Sequence, residues 1–241
     1  MPKRTIVVAT ENSKAVSFFS EYFRDTASIP TVIRDRHDFA ELAACRPEVV
    51  FIESDWVNRE IAAQLKRFAG QDSSFKCFGL GTGAEGAYEW SGILSFPIDQ
   101  EELIRVVFPA FTLPNPVKVL VVDDEPGILK LVYDFFTLQK QPKFEVFKAA
   151  DGLEGFKQVK EHHPHCLILD LKMPVRSGIR LYRDLIVSGL KIPTVIFIDT
   201  SASDDIQQIR SLGNPVFLEK GGTQGSMPEV MAVVQKLVIF S

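Results

Sequence analysis

The stretch VKVLVVDDEPGILKLVYDFF (117–136) reads as a strand that runs into a helix, with two aspartates at the joint. The run VKVLVV is short, apolar and rich in β-branched residues, as suits a strand buried on both faces. Beyond the joint, Ile128, Leu131, Val132 and Phe135 recur at i, i+3, i+4 and i+7, the spacing of one buried helix face. The same punctuation returns downstream. Asp170 follows the apolar run CLIL, and Lys220 follows PVFLE, with alternating strand and helix patterns between them. Such alternation indicates βα units and a parallel sheet. Strand ends in an open parallel sheet meet along one edge, which is where ligands bind. Residues far apart in sequence are therefore expected to meet as three carboxylates (Asp123, Asp124 and Asp170) facing one ammonium (Lys220). Crowded carboxylates repel one another, which favours a hard cation between them or a raised pKa. The pattern calls for Mg²⁺ and a phosphate-like group.

Working outward, the second half holds five apolar runs: VKVLVV (117–122), FEVFKA (144–149), HCLILD (165–170), PTVIFI (193–198) and PVFLE (215–219). The first half holds five more: TIVVAT (5–10), TVI (31–33), EVVFIE (48–53), FKCFGL (75–80) and GILSF (92–96). Helix-period stripes lie between them. In the second half these are Leu153, Phe156 and Val159; Ile206, Ile209 and Leu212, stopped by Gly213; and Val230, Val233, Val234 and Leu237. In the first half they are Val16, Phe19 and Phe23, then Phe39 with Leu42. The halves also align with each other. PEVVFIE matches PHCLILD, so Glu53 falls where Asp170 falls, Ala9 and Thr10 replace the acidic pair, and Phe96 replaces Lys220. A repeat this long signals a duplicated domain and not a solenoid. Pro114 and Pro116 in FTLPNPVK break helix and mark the join. The expected domains are 1–113 and 117–241.

With 46% hydrophobic and 24% charged residues over 241 positions, the chain has the balance of a globular protein. A formal net charge of −4 argues against a general nucleic-acid surface. No apolar run approaches a membrane span. The start MPKRTIVVATENSK reads as a first strand and not a signal peptide. Cys45, Cys77 and Cys166 have no ligand spacing, which fits a reduced, cytoplasmic protein. His162, His163 and His165 are too close in one loop to face a single ion easily. GLGTGAEG (79–86) lacks the order of a phosphate loop and reads as a strand–helix turn. Gly178 is expected to permit a tight backbone turn after the Asp170 strand.

Taken together, VLVVDDEP, LILDLKMPVRSG and VFLEK resemble the receiver domain of two-component response regulators, over 117 to about 240. The first half resembles a receiver in architecture but not in chemistry, so the whole is similar to a tandem receiver with a degenerate first copy. The resemblance implies two flavodoxin-like (CheY-like) doubly wound α/β domains, each a five-stranded parallel sheet in order 2-1-3-4-5. It implies phosphorylation of Asp170, with Mg²⁺ held by Asp123, Asp124, Asp170 and the Lys172 backbone carbonyl, and with Lys220 pairing with the phosphate. It implies a switch hydroxyl and a switch aromatic. Phe217 matches the aromatic; the hydroxyl falls on Ile198 counted from Pro193, or on Thr200 counted from Asp170. Gly221 stands where the family usually has proline. The partners implied are a sensor histidine kinase or phosphotransfer protein and a downstream protein target. Pairing through the last strands and helices would give a homodimer.

Few residues follow the second domain, which leads us to expect output through protein contacts, without a DNA-binding domain and without enzymatic turnover. The alternative is a scaffold of two degenerate receivers that works independently of phosphorylation. A phosphatase is a third reading, but such enzymes carry an acid two residues after the nucleophile, and here that residue is Lys172. Glu53 either mimics a phosphorylated aspartate or is retained for structure.

Overall fold

The computed structural model describes residues 4–82, 88–198, 203–220 and 226–241. The chain divides into two compact units, Met1–Thr112 with Phe240–Ser241, and Leu113–Ile239. Unit 1 runs β1 (Ile6–Ala9), α1 (Ser13–Phe23), β2 (Thr31–Ile33), α2 (Ala40–Cys45), β3 (Val49–Glu53), α3 (Arg59–Gln71), β4 (Lys76–Leu80), β5 (Gly92–Leu94) and α4 (Gln100–Val107). Unit 2 runs β6 (Val117–Val122), α5 (Pro126–Thr137), β7 (Phe144–Ala149), α6 (Gly152–His162), β8 (Cys166–Leu169), α7 (Gly178–Val187), β9 (Thr194–Ile198), α8 (Ser203–Leu212), β10 (Val216–Glu219) and α9 (Met227–Phe240). Every strand falls inside one of the ten apolar runs read from the sequence.

All strand pairs are parallel. The sheets are ordered β2-β1-β3-β4-β5 and β7-β6-β8-β9-β10, which is 2-1-3-4-5 in each unit. Both units are therefore flavodoxin-like. In unit 2 the strand alternation feeds two cores. Val117, Val119 and Val121 pack with Val132, Phe136, Val230, Val234 and Leu237, so α5 and α9 cover one face. Leu120 and Val122 pack with Val159, Leu181, Leu185 and Ile209, so α6, α7 and α8 cover the other. Burial on both faces explains why these strands read as unbroken apolar runs.

Two helix faces differ from expectation. On α5 the buried residues are Val132 and Phe136, with Ile128, Leu129 and Phe135 packed beside them, whereas Leu131 is 49% exposed. Three of the four expected residues thus face the core, and Phe136 fills the place read for Leu131. On α6, Leu153 lies outside the core, and the buried residues are Gly152, Gly155 and Val159, with Phe156 packed against the same core as expected. A Cβ on Gly155 would come within 3.0–3.2 Å of Leu181 and Val122. A methyl there would have to push the ends of Leu181 and Val122 aside by a few tenths of an ångström, and glycine leaves no mark in a hydropathy pattern.

Cys77 and Cys166 are buried in β4 and β8. Burial pushes the Cys166 thiol up to about 12, which keeps it protonated and inert near neutrality. No helix among the described residues is long and apolar enough to cross a membrane.

Candidate functional site

Three residues of unit 2 sit one step past the ends of their strands, and each is held there by a bond from its own amide. Asp123 N donates to the Ala149 carbonyl at 3.1 Å, Asp170 N to Val122 at 2.9 Å, and Lys220 N to Ile198 at 2.7 Å. The sheet order puts Asp123 and Asp170 on neighbouring strands, while Lys220 stands two strands beyond Asp170. Two strand spacings are about 9–10 Å, a gap that a long four-carbon stem can cross.

It does cross. Lys220 Nζ lies 2.9 Å from Asp123 Oδ2 and 2.9 Å from Asp170 Oδ1. Both aspartates are buried, at 1% and 5% exposure. Their other oxygens are also engaged: Asp123 Oδ1 accepts from Glu125 N at 2.9 Å, and Asp170 Oδ2 accepts from Lys172 N at 2.7 Å. Burial raises the pKa of Asp123 against the pull of Lys220. Burial alone would lower the Lys220 pKa, but its hydrogen bonds to the two aspartates outweigh that and raise it. The ammonium is charged at any working pH.

The loop after Asp170 is pinned from several sides. Gly178 N donates to the Leu171 carbonyl and Gly152 N to the Arg176 carbonyl, both at 3.1 Å. The Arg176 side chain pairs with Asp184 of α7, and its guanidinium lies 5.8 Å from the Phe156 ring of α6. Gly178 is needed for closeness and not for a turn. Its φ is not in the left-handed region, but a Cβ there would fall 1.9 Å from the Asp170 carbonyl oxygen.

The structure brings Asp123, Asp170 and Lys220 together. Asp124 is exposed beside them. The Lys172 side chain is exposed, and its amide faces Asp170. Phe217 is on β10, half-buried, with the Arg210 guanidinium 5.4 Å from its ring. Thr200 lies outside the described residues, as do Asp199, Ser201 and Gly221. Two participants were missed. Glu125 Oε1 is a third partner of Lys220, at 3.3 Å, and Arg176 anchors the loop after Asp170. Glu125 was visible as the third acid of DDE, but only the fold shows its direction. The histidines separate: His162 stacks on Phe147 at 3.9 Å, His163 closes α6 in the left-handed region, and His165 Nδ1 accepts from Lys118 N at 2.9 Å. Among the described residues no three His, Cys, Asp or Glu side chains converge as a ready-made metal site.

The corresponding edge of unit 1 is wired differently. Glu53 Oε1 accepts from the Thr10 hydroxyl, from Glu11 N at 3.1 Å and from Asn12 N at 3.4 Å. Thr10 is fully buried, and its hydroxyl also accepts from Asn12 N at 3.0 Å. Phe96, in the lysine position, is 37% exposed. The Glu53 carboxylate thus ties down the β1–α1 loop. Glu53→Ala takes the acceptor from the buried Thr10 hydroxyl and releases the Glu11 amide, and is expected to cost about 2 kcal/mol, whereas Glu53→Gln keeps an acceptor and most of the stability. Hydrogen exchange at the Glu11 and Asn12 amides checks this; equal protection in all three proteins would rule the tie out.

Residues 119–232, within unit 2, match the family model described as the response regulator receiver domain. Sporulation initiation phosphotransferase F of Bacillus subtilis (strain 168) is 31% identical over 96 residues, which is 40% of this chain and 75% of that protein. Protein-glutamate methylesterase/protein-glutamine glutaminase 1 of Syntrophomonas wolfei is 29% identical over 123 residues, 50% of this chain but only 34% of that protein. Among solved structures, the chemotaxis protein CheY4 of Vibrio cholerae aligns at 22% identity with a TM-score of 0.45, covering 51% of this chain and 98% of that one.

Proposed function

This chain belongs to the response regulator receiver family, and from that premise we propose that unit 2 accepts a phosphoryl group on Asp170 and signals through protein contacts. The observation that carries the reading is the Lys220 ammonium 2.9 Å from both buried carboxylates at the strand-end edge of the sheet. One Asp170 oxygen attacks phosphorus as the bond to the donor's histidine nitrogen breaks; the electron pair stays on the imidazole. Lys220 then turns one of its N–H donors to a phosphoryl oxygen, meeting charge with charge.

Family members typically use Mg²⁺. The donor set fits a hard cation, since Asp123, Asp124, Asp170 and the Lys172 carbonyl offer only oxygen. When bound, Mg²⁺ would neutralise charge on the phosphoryl group in transfer. The residues themselves do the rest. Asp123 orients Lys220, the Lys172 amide orients Asp170, and Arg176 and Gly178 hold the acceptor loop. The donor in this reading is a sensor histidine kinase or phosphotransfer protein in the cytoplasm, and the output is a bound protein and not turnover of a substrate. Unit 1, with Glu53 committed to its own loop, fits a contact module better than a phosphorylated-state mimic.

Intact-mass spectrometry with acetyl phosphate and Mg²⁺ tests this. One added phosphoryl group on the parent and none on Asp170→Ala is the expected result. Labelling that survives Asp170→Ala would dismiss it. A partner affinity indifferent to Asp170→Asn would select the phosphorylation-independent scaffold instead.

A further inference from the structure

We propose that Glu125 is a positioning and specificity residue: the displaceable third partner of Lys220, which disfavours highly charged small phosphodonors. The inference rests on the phosphoacceptor reading of Asp170.

An ammonium has three N–H donors. Three carboxylates stand within hydrogen-bonding distance of Lys220 Nζ: Asp123 and Asp170 at 2.9 Å, and Glu125 at 3.3 Å. The donors are thus fully subscribed before any phosphate arrives, and a phosphoryl oxygen that needs Lys220 must displace one of the three. The aspartates are poor candidates because they are buried, with side chains 2% and 6% exposed. A carboxylate stripped of its cation in a buried place is costly. Glu125 has the longest contact, and its side chain is 61% exposed, so water rehydrates it as it leaves.

Among the described residues that side chain has no other hydrogen-bond or ion-pair partner. Glu125 stands at the N-cap of α5 yet makes no side-chain bond to its own helix. Its amide meanwhile donates to Asp123 Oδ1 at 2.9 Å, which fixes its backbone against the site. A negative charge is thereby held on the solvent side of the acceptor's ammonium, where a donor must enter. It penalises a doubly charged donor more than a singly charged one.

The test compares the parent and Glu125→Gln with two donors, acetyl phosphate (a dianion near neutral pH) and phosphoramidate (a monoanion). Glutamine keeps the size and an acceptor oxygen but removes the charge. Its expected effect is a rise of about two- to fivefold in labelling rate with acetyl phosphate and a smaller rise with phosphoramidate. The advantage should shrink as salt shortens the screening length. An equal change for both donors, or one indifferent to salt, would make Glu125 structural only and overturn the inference. A parent labelled by neither donor would instead overturn the acceptor reading itself, and the inference with it.

Discussion

Gly178→Ala is expected to cost unit 2 at least about 3 kcal/mol, roughly a 10 °C fall in Tm. The added methyl would sit 1.9 Å from the Asp170 carbonyl oxygen, 2.9 Å from its carbonyl carbon and 3.0 Å from Leu171 Cα. All three obstacles are backbone, so no rotamer relieves the clash. Either α7 withdraws, and Leu181, Tyr182 and Leu185 with it, or the end of β8 that carries Asp170 shifts. The second outcome moves Asp170 relative to Lys220, so labelling should fall together with stability. Gly127→Ala in α5 is the control. A Cβ there meets nothing within 4 Å, and alanine is the better helix former, so a gain of up to about 1 kcal/mol is expected. One substitution with opposite signs in one unit separates close approach from glycine's general flexibility. If Gly178→Ala melts within a degree of the parent, the contact is not as tight as described.

Lys220→Met carries the second large effect, a loss of about 3 kcal/mol measured in EDTA to exclude divalent ions. Methionine fills the volume but leaves two buried carboxylates facing each other without their common cation. Burial already pushes Asp123 upward, and removing the ammonium leaves only the Glu125 amide against that push. The double variant Asp123→Asn/Lys220→Met removes one charge of the repelling pair and should recover part of the loss. That non-additivity distinguishes an electrostatic role from simple packing. If the double variant is as unstable as the sum of the single ones, Lys220 contributes mainly through its stem.

The ten strands were legible because local composition reports them, whereas their order came from the resemblance to receiver domains. β6 and β8 are buried on both faces and therefore read as unbroken apolar runs, and parallel pairing follows from strands alternating with helices. Asp123, Asp170 and Lys220 were legible too, since each ends a run and the fold must bring run ends to one edge. The rest depended on groups that distant segments bring face to face. The buried face of α6 includes glycines, which are silent in hydropathy. Gly178 is fixed by how closely α7 passes Asp170, a distance no neighbouring residue encodes. Glu53 and Asp170 hold matching positions in matching strands, yet one is tied by loop amides and the other by an ammonium. Glu125 adjoins the acidic pair in sequence, but its reach to Lys220 exists only once β6 and β10 lie in one sheet. Sequence by itself determined which segments become strands and which charges end them, because periodicity and burial act locally. Only tertiary structure decided which charge meets which, because a side chain's partner is set by packing between residues remote along the chain.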